Sequence, residues 1–192
     1  MKKVTKQQLK EWIEIYAQSQ SAKNVLQRSW TGVLIHRLRR ENYPNESESA
    51  SMRWIKAVND NLNDLKKCKN FFDLYKKVKK INVRGIGELS KYDTATCIGC
   101  KNGIYPLVVY LHAGTAEGAK ALGVVGTTAT KEQFVEICDA FERLEPIQIE
   151  DFLCIFKSCL QGNMQECEKV CNKQKSHSKK NLKSNKPSCG CC

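Results

Sequence analysis

The sequence predicts an all-α fold, a bundle of roughly eight helices in two lobes. Three observations lead there. Apolar residues recur at spacings of three and four, as in Leu9, Trp12, Ile13 and Tyr16. Two capping boxes, Thr5 with Gln8 and Thr130 with Gln133, mark helix starts. Only the stretch LVVYL at 107–111 has strand character, with no second strand to pair with it, so it reads as a buried extended segment or a helix start. The middle of the chain forms one lobe, its two ends the other, and the cleft between them is expected to carry the functional surface at its lip.

Taken in order, the first helix opens at Thr5, with Val4 and Leu9 as a hydrophobic staple. A second is expected from about Ala22 to Arg40, with Val25, Leu26, Val33, Leu34 and Leu38 inward and Gly32 as a weak point. Asn42 to Ser51 is a polar loop, followed by a helix carrying Ile55, Val58, Leu62 and Leu65. Asn70 caps FFDLYKKVKK, whose Phe71, Phe72, Leu74 and Val78 are expected inside and whose lysines face water. Thr115 to Leu122 is a short helix closed by Gly123. The helix opened at Thr130 carries Phe134, Ile137, Cys138, Phe141 and Leu144 inward until Pro146 stops it. The last helix, about Gln148 to Leu160, is strongly apolar. Residues 1–171 thus read as one helical domain, with residues 172–192 a disordered tail, lysine-rich and nearly without apolar side chains.

The formal net charge is +12, and six lysines with no acid lie in residues 172–192. The body is therefore only mildly basic, which still favours a polyanionic partner. No apolar run is long enough to span a membrane, and no apolar stretch follows the basic start, so a cytoplasmic location is expected. Eleven cysteines, an odd number, read as reduced thiols in such a chain rather than as a disulfide framework.

The most informative segment is INVRGIGELSKYDTATCIG. A helix ends near Ile81, Val-Arg-Gly-Ile-Gly turns the chain, and a second helix follows with Leu89, Tyr92, Ala95 and Ile98 expected to face the core. The hairpin spans 83–99. Gly85 and Gly87 sit where a tight turn needs positive φ or close backbone approach, and Ile86 plugs the junction. The N–H groups at the start of the second helix, aided by its dipole, suit a phosphate. The expected phosphate contacts are Arg84, Gly85, Gly87, Ser90 and Lys91. A dinucleotide fingerprint is excluded, because no strand precedes the glycines and the third is missing.

GIGELSKYDTA resembles the hairpin of the helix-hairpin-helix DNA glycosylase superfamily, and VVYLHAGTAEGAKALG resembles that superfamily's following segment. The likeness covers about Val83 to Gly123. It also resembles an uncharacterised bacterial and phage-borne family that shares the GIGEL and YLHAGT segments. The superfamily resemblance implies a two-lobed helical bundle and DNA as partner. It places Tyr110 where the superfamily has its catalytic aspartate and His112 on a largely structural histidine. Lys91 lies two residues later than the lysine nucleophile of the bifunctional members. The catalytic candidates are therefore Asp93, Tyr110 and Glu117, without the family's roles carried over.

Some members hold an iron-sulfur cluster near the C-terminus through four cysteines. Cys154, Cys159, Cys167 and Cys171 have a different spacing, and Cys154 lies on the apolar helix as core, leaving Cys159, Cys167 and Cys171 as the candidates for a cluster or zinc. The closing KPSCGCC is similar to the doubly prenylated tails of small GTPases, although no GTPase phosphate loop is present. The sequence therefore points to a DNA-backbone-binding helix-hairpin-helix protein without ordinary glycosylase catalysis. The alternatives are a base-excision enzyme with a relocated carboxylate and a protein-interaction module of unknown partner.

Overall fold

The computed structural model of the chain describes residues 4–26 and 50–180. These residues are all-α apart from one small pair of strands. Their contacts divide them into two units, one built from residues 4–26 and 107–180 and the other from residues 50–106. The expected helix from Ala22 to Arg40 appears within these limits as a short helix over Gln20–Val25, and the rest of that expectation lies outside the described residues.

In the unit formed by the ends, α1 (Lys6–Ala17) starts at Thr5, whose hydroxyl accepts from the Gln8 N–H at 3.2 Å while the Gln8 side chain accepts from the Thr5 N–H at 3.0 Å. Its apolar stripe, with α2 (Gln20–Val25), enters a core of stacked rings. Phe152 lies 4.8 Å from Phe156 and meets Tyr16 and Phe141 edge-on at 5.7 and 5.5 Å. The Tyr16 hydroxyl escapes burial by donating to Asp151 at 3.0 Å.

The segment at 107–111 does find a strand partner. β1 (Val109–Tyr110) pairs antiparallel with β2 (Thr128–Ala129), Val109 opposite Ala129. Two residues are too few to show alternation, which is why the partner was not legible. Between them α7 (Ala113–Ala121) is closed through Gly123 at φ +85°. The single helix expected after Thr130 is two elements. α8 (Lys131–Ile137) breaks at Cys138, whose backbone is extended, and a 3-10 turn, Asp139–Arg143, follows. Pro146 does not stop this segment but begins α9 (Pro146–Ile155), as suits a residue with fixed φ and no N–H. α10 (Lys157–Leu160) is short, and α11 (Met164–Lys180) continues well past Asn172. The expected irregular tail is thus helical to Lys180. The cause is tertiary: Cys167 and Gln174 on α11 are buried, and the Gln174 side chain accepts from Ser21 at 2.9 Å.

The middle unit contains α3 (Ala50–Asp60), α4 (Leu62–Lys66), α5 (Phe71–Lys80) and α6 (Glu88–Lys101). Asn70 caps α5 as expected, its side chain accepting from the Asp73 N–H at 2.9 Å. Phe71, Tyr75 and Tyr92 pack mutually at 5.6–6.0 Å and join α5 to α6. Trp54 on α3 donates its indole N–H to Thr94 at 3.0 Å, and Thr94 donates onward to the Ser90 carbonyl at 2.7 Å. Two expected core residues are outside: Phe72 is 69% exposed and Leu89 46%. Each lies beside a residue that takes the inward position, Phe71 for the first and Tyr92, one turn on, for the second.

Candidate nucleic-acid interface

The joint between α5 and α6 is a hairpin. The Ile81 N–H closes α5 on the Val78 carbonyl, and a four-residue turn follows in which the Ile86 N–H donates to the Val83 carbonyl at 3.1 Å. Gly85 has φ +91° at the third position of that turn, a conformation that disfavours any side chain. A Cβ there would also stand 3.1 Å from the Cβ of Ala50. Arg84, beside it, is exposed. Ile86 is half-buried at the junction.

Gly87 differs from the expectation. Its φ is −89°, and a Cβ built on it would meet nothing within 4 Å. Neither backbone strain nor internal crowding requires glycine at this place. Gly87 is the N-cap of the 14-residue α6 and supplies no side-chain cap. Its own carbonyl accepts from Lys91, so the helix begins at once and presents its first N–H groups beside an open position.

Electrostatics at this end are mixed. Glu88, the first residue of α6, lies 3.2 Å from Lys79 and 3.6 Å from Lys91. Burial acts to raise its carboxyl, but the hydrogen bond and charge of Lys79, then those of Lys91, outweigh it and hold the group below its usual value. Lys91 is only 13% exposed, and its ammonium donates to the Lys79 carbonyl at 3.3 Å. It ties the end of α5 to the start of α6. Ser90 is half-buried, its carbonyl taken by Thr94. The hairpin therefore brings together all five expected phosphate contacts, with Arg84, Gly85 and Gly87 outermost.

Charge is divided sharply between the units. Residues 50–106 hold 12 Lys and Arg against 5 Asp and Glu. Residues 4–26 with 107–180 hold 12 against 12. The surplus of the described chain thus lies wholly on the unit that carries the hairpin.

The catalytic candidates are split. Asp93 is half-buried on α6 in the middle unit, whereas Tyr110 and Glu117 belong to the other unit. Tyr110 stacks on His112 at 5.9 Å. Burial, then the charge of Glu150, pushes its phenol above the usual value. Glu117 is exposed and lies 3.5 Å from Lys157. Glu150, which the sequence reading passed over, is an acid only 8% exposed, and its carbonyl accepts from Thr115 at 3.4 Å. Its signal was a carboxylate in the midst of the apolar run PIQIEDFL.

Cys154 lies outside, not in the core. Cys159 and Cys167 are buried, and the Cys167 sulfur lies 3.9 Å from that of the half-buried Cys171. Burial and the neighbouring thiols push Cys159 far up and Cys171 to about 11. Among the described residues no group of three His, Cys, Asp or Glu side chains is placed to hold a metal ion. No described helix is long and apolar enough to cross a membrane. No family model, curated protein or solved structure matches the chain.

Proposed function

We propose that the middle unit binds the phosphate backbone of duplex DNA through the hairpin, without base excision. Gly87 carries this reading. At the N-cap of a long helix, with ordinary φ and empty space where a side chain would stand, glycine leaves the N–H groups of the first turn approachable by an anion. Among the described residues the excess of positive charge lies on residues 50–106, which supports a polyanion over a small acid, because diffuse charge attracts a backbone rather than one carboxylate. Arg84 adds an exposed guanidinium on the same turn.

Absence of excision follows from Tyr110. At the position that resembles the superfamily's aspartate, this chain holds a phenol whose environment keeps it neutral. A second reading, base excision, has one observation in its favour: buried Glu150 lies close enough for its charge to act on Tyr110. It is the carboxylate this reading would use.

The test is Gly87→Asp. Aspartate is a good N-cap and suits the positive end of a helix, so the variant should melt at or above the wild-type temperature. Its carboxylate would occupy the phosphate position, so duplex binding should fall at least tenfold. Unchanged binding would refute the hairpin reading. Truncation after Lys180 removes the distal lysines without cutting α11, and binding lost by that change alone would point to tail attraction instead.

A further inference from the structure

A second feature of the middle unit lies next to the hairpin in the chain. Between α4 and the end of α5 lies an open groove of about 440 Å³, lined by Asn61, Asp64, Lys77, Lys80 and Asn82 over a floor that includes Leu65. The volume falls within the range of about 300–1,000 Å³ typical of small-ligand sites. Its lining is apolar at Leu65 and Ile81 and is edged by groups suited to an anion. Lys77 and Lys80 bring two ammonium groups and Asn82 a carboxamide, whereas the Asn61 carboxamide nitrogen donates to the Ala57 carbonyl at 2.8 Å.

The one acid does not cancel this. The Asp64 carboxylate is held at 3.0 Å by Lys67, whose hydrogen bond and charge lower its pKa, so it enters the groove with its own counter-ion. The Asp64 carbonyl accepts from Lys77 at 3.3 Å, which holds that lysine over the groove. Lysines in the last turn of a helix offset its dipole, and that alone would explain Lys77, Lys79 and Lys80. It would not explain why Asn82, beyond the end of the helix, lines the same concavity.

Position supplies the remaining argument. Asn82 is followed at once by the turn Val83–Ile86. Three residues separate Asn82 from Gly85, a reach of at most about 10 Å. Phosphates on one strand advance about 3.4 Å along the duplex axis per nucleotide. Groove and hairpin therefore lie within roughly three nucleotides of each other.

We propose that this groove is a second phosphate seat, in which Lys77, Lys80 and Asn82 hold a phosphodiester of the strand whose neighbouring phosphate meets the hairpin. The inference rests on the backbone-binding reading above, and its test separates the two. Duplex affinity of the full chain is measured across salt concentrations for wild type, Lys77→Gln/Lys80→Gln, Gly87→Asp, and Lys66→Gln/Lys69→Gln. The last pair removes the same charge from exposed positions outside the groove. Each phosphate contact contributes about 0.9 to the slope of log affinity against log salt. The groove variant should lose about two contacts, flattening the slope by nearly 2, while the control pair changes it by less than half as much. Equal effects of the two pairs, with binding still lost in Gly87→Asp, overturn the groove and leave the hairpin. Binding lost in the groove variant but kept in Gly87→Asp overturns the hairpin and keeps the groove. No duplex binding by wild type overturns both.

Discussion

Glu88 and Lys79 meet across the hairpin, carboxylate to ammonium at 3.2 Å, so the first turn of α6 carries its own anion beside the positive end of the helix. An external phosphate must share that end with Glu88. Glu88→Gln should therefore tighten duplex binding several-fold. Both partners are about half exposed, so the pair itself stabilises the fold by no more than ~1 kcal/mol. Because the folded carboxyl lies below its usual value, its stabilisation is present above 4.5 and is lost as pH falls through the folded value. Anisotropy titrations and urea melts of the variant check both. Weaker binding in Glu88→Gln would contradict the anion-site reading.

The two hairpin glycines should respond unequally to the same change. Gly85→Ala forces a Cβ into left-handed backbone, costing about 1–2 kcal/mol, and crowds Ala50 as well. Gly87→Ala meets neither obstacle and should cost under about 1 kcal/mol, the difference between glycine and alanine as N-caps. Thermal melts would separate them, and equal losses would mean that Gly87 is structurally required after all.

These glycines also show how far the sequence could be read. The turn itself was visible, because two glycines between helical stripes leave few alternatives. Which glycine served the backbone and which left space was not, since that depends on φ and on Ala50, more than thirty residues away in the chain. Capping boxes at Thr5 and Thr130 were legible for the opposite reason: their geometry closes within four residues. The end of α11 was hidden because a polar Gln174 is buried against Ser21. Lysine-rich composition around it resembles an unfolded tail, and only the distant partner makes it a helix. Glu150 was missed in the same way, its burial arising from the packing of α9 against α7.

Cys159 and Cys171 should be inert in the folded chain. A thiol raised to about 11 is ionised to only about 3 parts in 10,000 at pH 7.5, and the thiolate is the reactive form. Cys171 and the more strongly shifted Cys159 should therefore resist iodoacetamide, while exposed Cys154 is modified early. Peptide mass spectrometry after timed alkylation tests this. Early loss of Cys171 would mean that its thiolate is stabilised rather than suppressed.

Catalysis is the sharpest prediction. Cleaving a glycosidic bond builds positive charge on the sugar, and a nearby carboxylate contributes several kcal/mol to stabilising it. Tyr110 supplies no such charge, since burial and Glu150 both favour its neutral phenol. Glu117 spends its charge on Lys157 at the surface. Purified protein should therefore leave duplexes with single damaged bases intact under conditions where it binds them. Tyr110→Asp tests the scaffold directly, because it restores the residue type that the resemblance implies. Excision gained by that variant alone would show a glycosylase arrangement lacking one group. Excision by wild type would reject the inactive reading, and the carboxylate responsible could then be found by loss. Glu150→Gln should abolish that activity if Glu150 supplies the charge, whereas Glu117→Gln should leave most of it. Since Glu150 is buried, its amide variant must first be shown to melt near wild type, so that lost excision reports the missing charge and not a lost fold.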